Sequence, residues 1–160
     1  MELGDKLSNE TILVPMLAIS KEEAIQELLT HLLSLDILSD TVKLFTYIKE
    51  QESIFTSSAG RGIAYPHSTS VEVDKLTCIL GISHKGIDFN SPDGHDCHII
   101  LLTLSPVNEP KEHRKFITRF RSMVDNPEIR SHMIDSRTCN ETFNIISDWE
   151  KENNKDDMIL

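Results

Sequence analysis

The chain has 160 residues, 39% of them hydrophobic and 26% charged, which is the composition of one soluble globular domain. Its formal net charge of −10 argues against nucleic-acid binding, which depends on neutralising phosphates with Lys and Arg, and against an anionic membrane surface. Three cysteines, at positions 78, 97 and 139, are an odd number without a close pairing pattern. They predict free thiols in a reducing compartment.

The apolar runs of the chain also indicate a soluble protein. The first nine residues lack the basic flank and apolar stretch of a signal peptide. The longest apolar run, around Ile99 to Leu104, is far shorter than the roughly 20 residues that cross a bilayer. We therefore expect a cytoplasmic protein.

The first half of the chain predicts an edge strand and two helices. Ile12 to Leu17 is apolar, but Pro15 limits it to an edge strand. Ser20 to Glu23 is a capping box, and the predicted helix after it carries Ala24, Ile25, Leu28, Leu29, Leu32 and Leu33 on one face. A second helix is predicted from about Asp40 to Glu52, with an apolar face made of Val42, Phe45, Tyr47 and Ile48.

The second half predicts two strands and three helices. Leu76 to Ile82 alternates as a strand, and Ile99 to Leu104 is typical of a strand covered on both faces. Asn108 can cap a helix that has Pro110 in its first turn. The buried stripe of that helix is predicted to be Phe116, Ile117, Phe120, Met123 and Val124. Asn126-Pro127 opens a short helix with Ile129, Met133 and Ile134 inward, and Thr138 to Glu141 opens a last helix with Phe143, Ile146 and Trp149 inward.

The order of these elements predicts an α/β fold in a single domain. Helices and strands interleave, so central strands should be covered by helices. Several connections are too short for a βαβ crossover, which favours a mixed sheet. We place the domain at residues 1–150 and expect a charged, frayed C-terminal tail over 151–160.

His67 is the first candidate for a chemical role. It follows Gly60-Arg61-Gly62, where the glycines allow backbone N–H groups to approach an anion. Pro66 restrains the backbone in front of it. A neutral imidazole nitrogen is a good nucleophile near neutral pH. The residues alone leave open the alternative of a histidine in an ordinary turn.

His113 is the second candidate, in the first turn of the Pro110 helix. Phe116 and Ile117 lie three and four residues later, so His113 shares the inward face. A helix N-terminus offers unpaired N–H groups and the positive end of a dipole, which suits a phosphate. The alternative is a core histidine satisfied by a hydrogen bond.

A metal site is a weaker possibility. His95 and His98 are three residues apart beside Asp93, but no second group of ligands follows at a convincing distance, and a turn explains Asp93-Gly94 better. Gly60-Arg61-Gly62 lacks the Gly-Lys-Ser/Thr ending of a P-loop, so nucleotide hydrolysis is unsupported.

The run Gly60 to His67 resembles the signature of the mannitol/fructose-type enzyme IIA family of the bacterial phosphoenolpyruvate-dependent sugar phosphotransferase system. Gly86 to Phe89, Asp93-Gly94 and the apolar strand from Ile99 resemble later landmarks of that family. His113, 46 positions after His67, falls where the family has its second active-site histidine. The resemblance covers the chain from about Leu7 to Trp149 and extends to nitrogen-type regulatory members.

The resemblance implies a fold, a reaction and partners. The family fold is a mixed sheet of about five strands flanked by helices on both faces. His67 would accept a phosphoryl group from the phosphohistidine of HPr and pass it to an enzyme IIB component, with a membrane IIC permease completing sugar or sugar-alcohol uptake. His113 would hydrogen-bond the phosphoryl oxygens or orient His67. Positioning and hydrogen-bond donors would do the catalysis, so no metal or other cofactor is expected.

The chain departs from the family pattern at three positions around His67. Gln51 stands where the family usually has an arginine, and a glutamine offers only a neutral amide. We hypothesise that Arg61 partly replaces the lost charge. Ser68 replaces a glycine, and its hydroxyl could contact phosphate. Together with Gly60 and Gly62, these residues form the predicted phosphate-positioning set: Gln51, Gly60, Arg61, Gly62 and Ser68.

Three functions follow from these observations. The first is a phosphocarrier for a sugar permease. The second is a regulatory, nitrogen-type or degenerate member that binds other proteins according to its phosphorylation state. The third is an unrelated α/β protein with a metal at His95 and His98.

Overall fold

The computed structural model describes residues 1–108 and 110–159, with side chains described as far as residue 154. After a 3-10 turn at Leu3–Asp5, the described chain contains six strands and five helices. In chain order they are β1 (Ile12–Leu13), α1 (Lys21–Ser34), α2 (Val42–Ile54), β2 (Ser58–Gly60), β3 (Ile63–Ala64), β4 (His67–Thr69), β5 (Thr77–Ile87), β6 (Cys97–Ser105), α3 (Pro110–Val124), α4 (Pro127–Asp135) and α5 (Cys139–Ile159).

The six strands form one mixed sheet in the order β1-β5-β6-β3-β2, with β4 also paired to β6. β5 and β6 are antiparallel, whereas β3 and β4 both run parallel to β6. β3 and β4 keep the same register offset along β6, from Ile63 opposite Ile99 to His67 opposite Thr103. They therefore share one edge of β6, and the six strands occupy five positions in the sheet. The combination of parallel and antiparallel pairs confirms the predicted α/β fold with a mixed sheet.

Each face of the sheet has its own apolar core, because β5 and β6 alternate between the two. One core contains Ile79, Ile100 and Leu102 and is covered by α1 and α2. The other contains Leu80 and Leu101 and is covered by α3, α4, α5 and the N-terminal turn. The prediction that Ile99 to Leu104 is a strand covered on both faces is confirmed.

Helix α1 begins at the predicted cap, with one half of the predicted capping box formed and the other bond shifted by one residue to Ile19. The Ser20 hydroxyl accepts a hydrogen bond from the Glu23 N–H at 3.2 Å, and the Glu23 carboxylate accepts one from the N–H of Ile19 at 3.1 Å. The predicted apolar face is buried at Ala24, Ile25, Leu28, Leu29 and Leu32, while Leu33 is 37% exposed.

The predicted apolar face of α2 is wrong in part. Ile48 is buried and Phe45 packs against the core, but Val42 is 68% and Tyr47 is 49% exposed. The helix is instead rotated so that Glu52 is buried. The carboxylate of Glu52 accepts a hydrogen bond from the Ser57 N–H at 3.0 Å, and this compensates for the loss of water.

The C-terminal third follows the prediction except at its two ends. The stripe of α3 is buried at Phe116, Phe120, Met123 and Val124, and Asn126 caps α4 through the N–H of Glu128. The proposed cap at Asn108 borders residue 109, which lies outside the described residues. At the C-terminus, α5 continues to Ile159, and Asn154 accepts a hydrogen bond from Arg119; the domain end at residue 150 and the frayed tail over 151–160 stay predictions.

Candidate active site

His67 and His113 meet at the edge of the sheet although they are far apart in sequence. His67 opens β4, and its strand partner on β6 is Thr103. His113 lies in the first turns of α3, which crosses the sheet face beside β6. The two imidazole ring centroids are 5.8 Å apart and the ring planes are inclined by 36°. Both side chains line the same two surface cavities.

The hydrogen bond of His67 defines which nitrogen can react. Its Nδ1 lies 3.1 Å from the carbonyl oxygen of Tyr65. A carbonyl oxygen can only accept, so Nδ1 carries the proton and Nε2 of the neutral ring keeps its lone pair. The side chain is exposed, so this lone pair is accessible to an electrophile that arrives from outside.

His113 is tied to the sheet through Thr103. Its Nε2 lies 2.9 Å from the Thr103 hydroxyl oxygen, and Thr103 is fully buried. Burial lowers the pKa of His113, and a positive charge on His67 would lower it further. His113 is therefore a neutral imidazole at pH 7, held in one orientation next to His67.

The larger cavity beside His67 has a volume of about 550 Å³ and lies between the end of α2, β4 and the start of α3. Gln51 and Ser68 both line it, so the structure places these two predicted residues near His67. The Ser68 hydroxyl donates to the carbonyl of Thr69 at 2.8 Å, so its hydrogen is engaged within the strand. Three partly or largely exposed apolar side chains also line this cavity: Tyr47, Phe55 and Val107.

The structure does not bring Gly60, Arg61 and Gly62 to the cavities beside His67. These residues form the left-handed turn between β2 and β3, with φ values of 80°, 59° and 79°. The Arg61 N–H donates to Asp93 at 2.8 Å, and its guanidinium pairs with Asp125 at 3.2 Å. The carbonyl of Gly62 accepts from the His98 N–H. The motif before Pro66 thus positions the strands.

Asp93 fixes the position of this turn through hydrogen bonds. Hydrogen bonds from the Ser91 hydroxyl and from the N–H groups of Arg61 and His95 lower the pKa of Asp93 to about 2. His98 is used elsewhere, since its Nδ1 lies 2.8 Å from the Ser83 carbonyl. Within residues 1–108 and 110–154, no three or more His, Cys, Asp or Glu side chains are grouped as metal ligands would be.

Three residues of this region were missed by the sequence reasoning. Thr103 is the one hydroxyl residue in the apolar run Ile99 to Leu104, which could have marked it. Ser57 lines both cavities, and its hydroxyl oxygen is buried without a hydrogen-bond partner in the described structure. Arg121 lines the smaller cavity. Neither Ser57 nor Arg121 carries a motif signal.

The fold and the site together define a single α/β domain with a pair of histidines at an open cleft on the sheet edge. Residues 5–149 match the model of the family described as phosphoenolpyruvate-dependent sugar phosphotransferase system, EIIA 2. The chain therefore belongs to this family, whose members are phosphotransferases that carry phosphohistidine.

Curated relatives of the chain include both transport and regulatory proteins. The fructose-specific EIIABC component of Bacillus subtilis is 25% identical over 94% of this chain, which spans only 24% of that relative. A nitrogen regulatory protein of Bradyrhizobium diazoefficiens is 24% identical over 92% of this chain and 95% of its own length.

Solved structures share the fold. The nitrogen regulatory protein IIA-Ntr of Neisseria meningitidis superposes with a TM-score of 0.80 at 22% identity, covering 90% of this chain and 98% of that one. The IIA mannitol protein of Escherichia coli gives a TM-score of 0.74 at 21% identity, over 88% of this chain and 99% of that one. Among the helices described here, none combines the length and apolar character needed to span a membrane.

Proposed function

We propose that this chain is an enzyme IIA phosphocarrier that accepts a phosphoryl group from phospho-HPr on His67 Nε2 and passes it to an enzyme IIB component. The transfer would serve the uptake of a sugar or sugar alcohol of the mannitol/fructose type. One observation supports this most directly: the two histidine rings, 5.8 Å apart, share an open cleft while the Tyr65 carbonyl holds Nδ1 of His67.

The reaction is an in-line exchange between two nitrogens. The lone pair of His67 Nε2 attacks the phosphorus of a donor phosphoimidazole that is protonated on its other nitrogen. As the new P–N bond forms, the old one breaks, and its electron pair returns to the donor, which leaves as neutral imidazole. Phosphorylated His67 keeps its Nδ1 proton, whose positive character the Tyr65 carbonyl stabilises. Attack by a thiolate or imidazole of the IIB component reverses the sequence at the same phosphorus.

The residues around Nε2 position the phosphoryl oxygens. His113 and Gln51 line the cleft and can donate hydrogen bonds to them. Ser57 adds a hydroxyl without another partner in the described structure. Ser68 has a smaller role than expected, because its hydrogen is already engaged. We leave Gly60, Arg61 and Gly62 out of this set, since they line neither cavity beside His67 and their polar groups are bound to Ser58, Asp93, Asp125 and β6.

The cleft rim suits protein partners. Phe55 is 81% and Val107 is 61% exposed, and both line the cavity that contains His67. Apolar and aromatic side chains around a polar centre are typical of a protein-binding surface. We propose HPr and IIB as the partners and, through IIB, a membrane IIC permease. A cytoplasmic location follows from this proposal. The EIIABC relative joins the three component types by name.

Phosphorylation by purified components tests the proposal. The protein is incubated with phosphoenolpyruvate, enzyme I and HPr, and the phosphate is mapped by mass spectrometry at mildly alkaline pH. We expect one phosphate on His67, lost in His67→Ala and slowed in His113→Ala. His132→Gln, which changes an exposed histidine on α4, is the matched control and should behave as wild type. A well-folded wild-type protein that stays unphosphorylated contradicts the proposal.

A second candidate is a regulatory role, in which the phosphorylation state controls binding to another protein. The nitrogen regulatory relative, whose whole length is nearly covered by this chain, favours it. The two roles differ in the fate of the phosphate. Rapid discharge of phospho-His67 to a IIB component encoded nearby supports transport. Retention of the phosphate together with state-dependent capture of a non-transport protein supports regulation.

A further inference from the structure

The proposed function requires positive charge around the phosphoryl group, and the residues predicted from the sequence do not supply it. A phosphoryl group on His67 brings a charge of roughly −2 into the cleft, and phosphoryl transfer depends on cationic donors around its oxygens. Gln51 is neutral, and Arg61 is paired with Asp125 at the β2–β3 turn. His113 is held neutral by burial and by His67, which lower its pKa.

Arg121 lies where a cation is needed. His113, Ile117 and Arg121 are spaced four residues apart and form one stripe of α3. The stripe lines a cavity of about 290 Å³ that Ser57 and His67 also line. This cavity therefore joins the nucleophile, the second histidine, a hydroxyl without a partner in the described structure and a guanidinium.

Tyr65 holds the Arg121 side chain in this position. The guanidinium carbon lies 5.1 Å from the centroid of the Tyr65 ring, a cation–π contact. The backbone carbonyl of the same tyrosine accepts a hydrogen bond from His67 Nδ1. The Tyr65 ring is fixed in turn by an edge-to-face contact with Phe120, at a centroid distance of 6.1 Å. Among the ion pairs of the described residues, none involves Arg121, so no carboxylate neutralises its guanidinium at contact distance.

We infer that Arg121 is the phosphoryl-binding arginine of this chain and supplies, from α3, the positive charge absent at position 51. The guanidinium, stacked on Tyr65, and the Ser57 hydroxyl bind the oxygens of the phosphoryl group on His67 from the side opposite Gln51. A planar fork of N–H donors suits this task because it binds two phosphoryl oxygens at once. The inference rests on the proposed function for its physiological donor, but its chemistry can be tested without that donor.

The test uses phosphoramidate, a small phosphoryl donor that needs no protein partner, alongside phospho-HPr. The rate of phosphate incorporation at His67 is measured for wild type, Arg121→Gln and Arg61→Gln. We expect Arg121→Gln to slow incorporation from both donors by about 100- to 1,000-fold, as for the loss of one preorganised donor to a transition state. Arg61→Gln, the matched control, should keep the wild-type rate.

A double variant separates charge from packing. Gln51→Arg in the Arg121→Gln background returns a guanidinium to the cleft from α2, and we expect it to recover most of the lost rate. A rate that is unchanged in Arg121→Gln overturns the inference. A loss of rate that Gln51→Arg fails to recover also overturns it, because Arg121 would then act only by positioning Tyr65. If the protein is phosphorylated by phosphoramidate but not by phospho-HPr, the result contradicts the proposed function alone. The comparison of the variants with phosphoramidate then still decides the role of Arg121.

Discussion

His113 shows at the scale of one residue how the fold sets chemistry. Its imidazole is half-buried between α3 and β6, with Nε2 2.9 Å from the Thr103 hydroxyl oxygen. Burial disfavours the charged ring, and a positive charge on His67 would disfavour it further, so both lower the pKa of His113. A neutral His113 ring can be held by Thr103 and still face His67, whereas a charged His113 ring would repel a protonated His67 ring.

A pH titration of the histidine rings by NMR tests this account. We expect His113 to titrate below the usual value of about 6.5, and His67→Ala to raise its pKa without restoring that value, because burial remains. A His113 that titrates at the usual value of about 6.5 or above contradicts the assignment.

The same shift predicts a pH dependence of stability. A histidine whose pKa is lowered by folding binds fewer protons in the folded than in the unfolded state. The free energy of unfolding should therefore fall as the pH drops from about 6.5 through the folded-state pKa. His113→Gln should flatten this slope in denaturant titrations at several pH values, and an unchanged slope would contradict this account.

At the scale of elements, β5 and α1 are in close contact because residue 81 has no side chain. Gly81 lies in the middle of β5 and faces Met16 and Leu28. A methyl group there would meet the Met16 side chain and come within 3.0 Å of Leu28 Cδ2, which is too close for carbon atoms at van der Waals separation. The glycine therefore sets how closely α1 covers the sheet.

Gly81→Ala should destabilise the protein by forcing α1 or Met16 away from β5. Overpacking of this kind costs typically about 1–3 kcal/mol in the free energy of unfolding. Gly4→Ala is the matched control, because the nearest atom to its added methyl is 3.7 Å away, and it should change stability by less than about 0.5 kcal/mol. Chemical denaturation of both variants makes the comparison. Equal stability of the two would mean that the contact between α1 and β5 adjusts freely.

At the scale of the whole molecule, Glu150 joins the two ends of the chain. It is buried on α5, accepts a hydrogen bond from the Gly4 N–H at 2.8 Å, and accepts another from Arg119 Nε at 2.9 Å. Arg119 also stacks against Trp149, 5.2 Å from its ring centroid. The N-terminal turn, α3 and α5 are thereby held together on one face of the sheet.

Glu150→Gln should weaken this junction, because Gly4 and Arg119 donate to different oxygens of the carboxylate and the amide replaces one of them with an NH₂ group, which cannot accept. Loss of a charged hydrogen bond in a buried site costs about 1–3 kcal/mol in unfolding free energy. Glu152→Gln, an exposed change on the same helix, should stay within about 0.5 kcal/mol of wild type. Far-UV circular dichroism and the fluorescence of the single tryptophan should report one common transition. A fluorescence change that precedes it would show that α5 unfolds separately.

The comparison of α1 with α2 shows when a sequence pattern is enough to predict which face of a helix is buried. In α1 the apolar residues follow a single stripe and a capping box marks the start, so local periodicity determined which face is buried. In α2 apolar residues surround the helix, and the buried face includes Glu52 because the Ser57 N–H satisfies its carboxylate. Periodicity cannot anticipate a partner that the loop beyond the helix supplies.

The sequence by itself determined the α/β class, the buried strand β6 and the two histidines, because each depends on local periodicity or on a short motif. Only the tertiary structure decided what surrounds those histidines. The β2–β3 turn directs Arg61 toward Asp125, while the crossing of α3 over the sheet brings Arg121 and Thr103 to the region of His67 and His113. The physical reason is that charge and hydrogen-bond partners act through space, between residues whose separation along the chain does not indicate their distance.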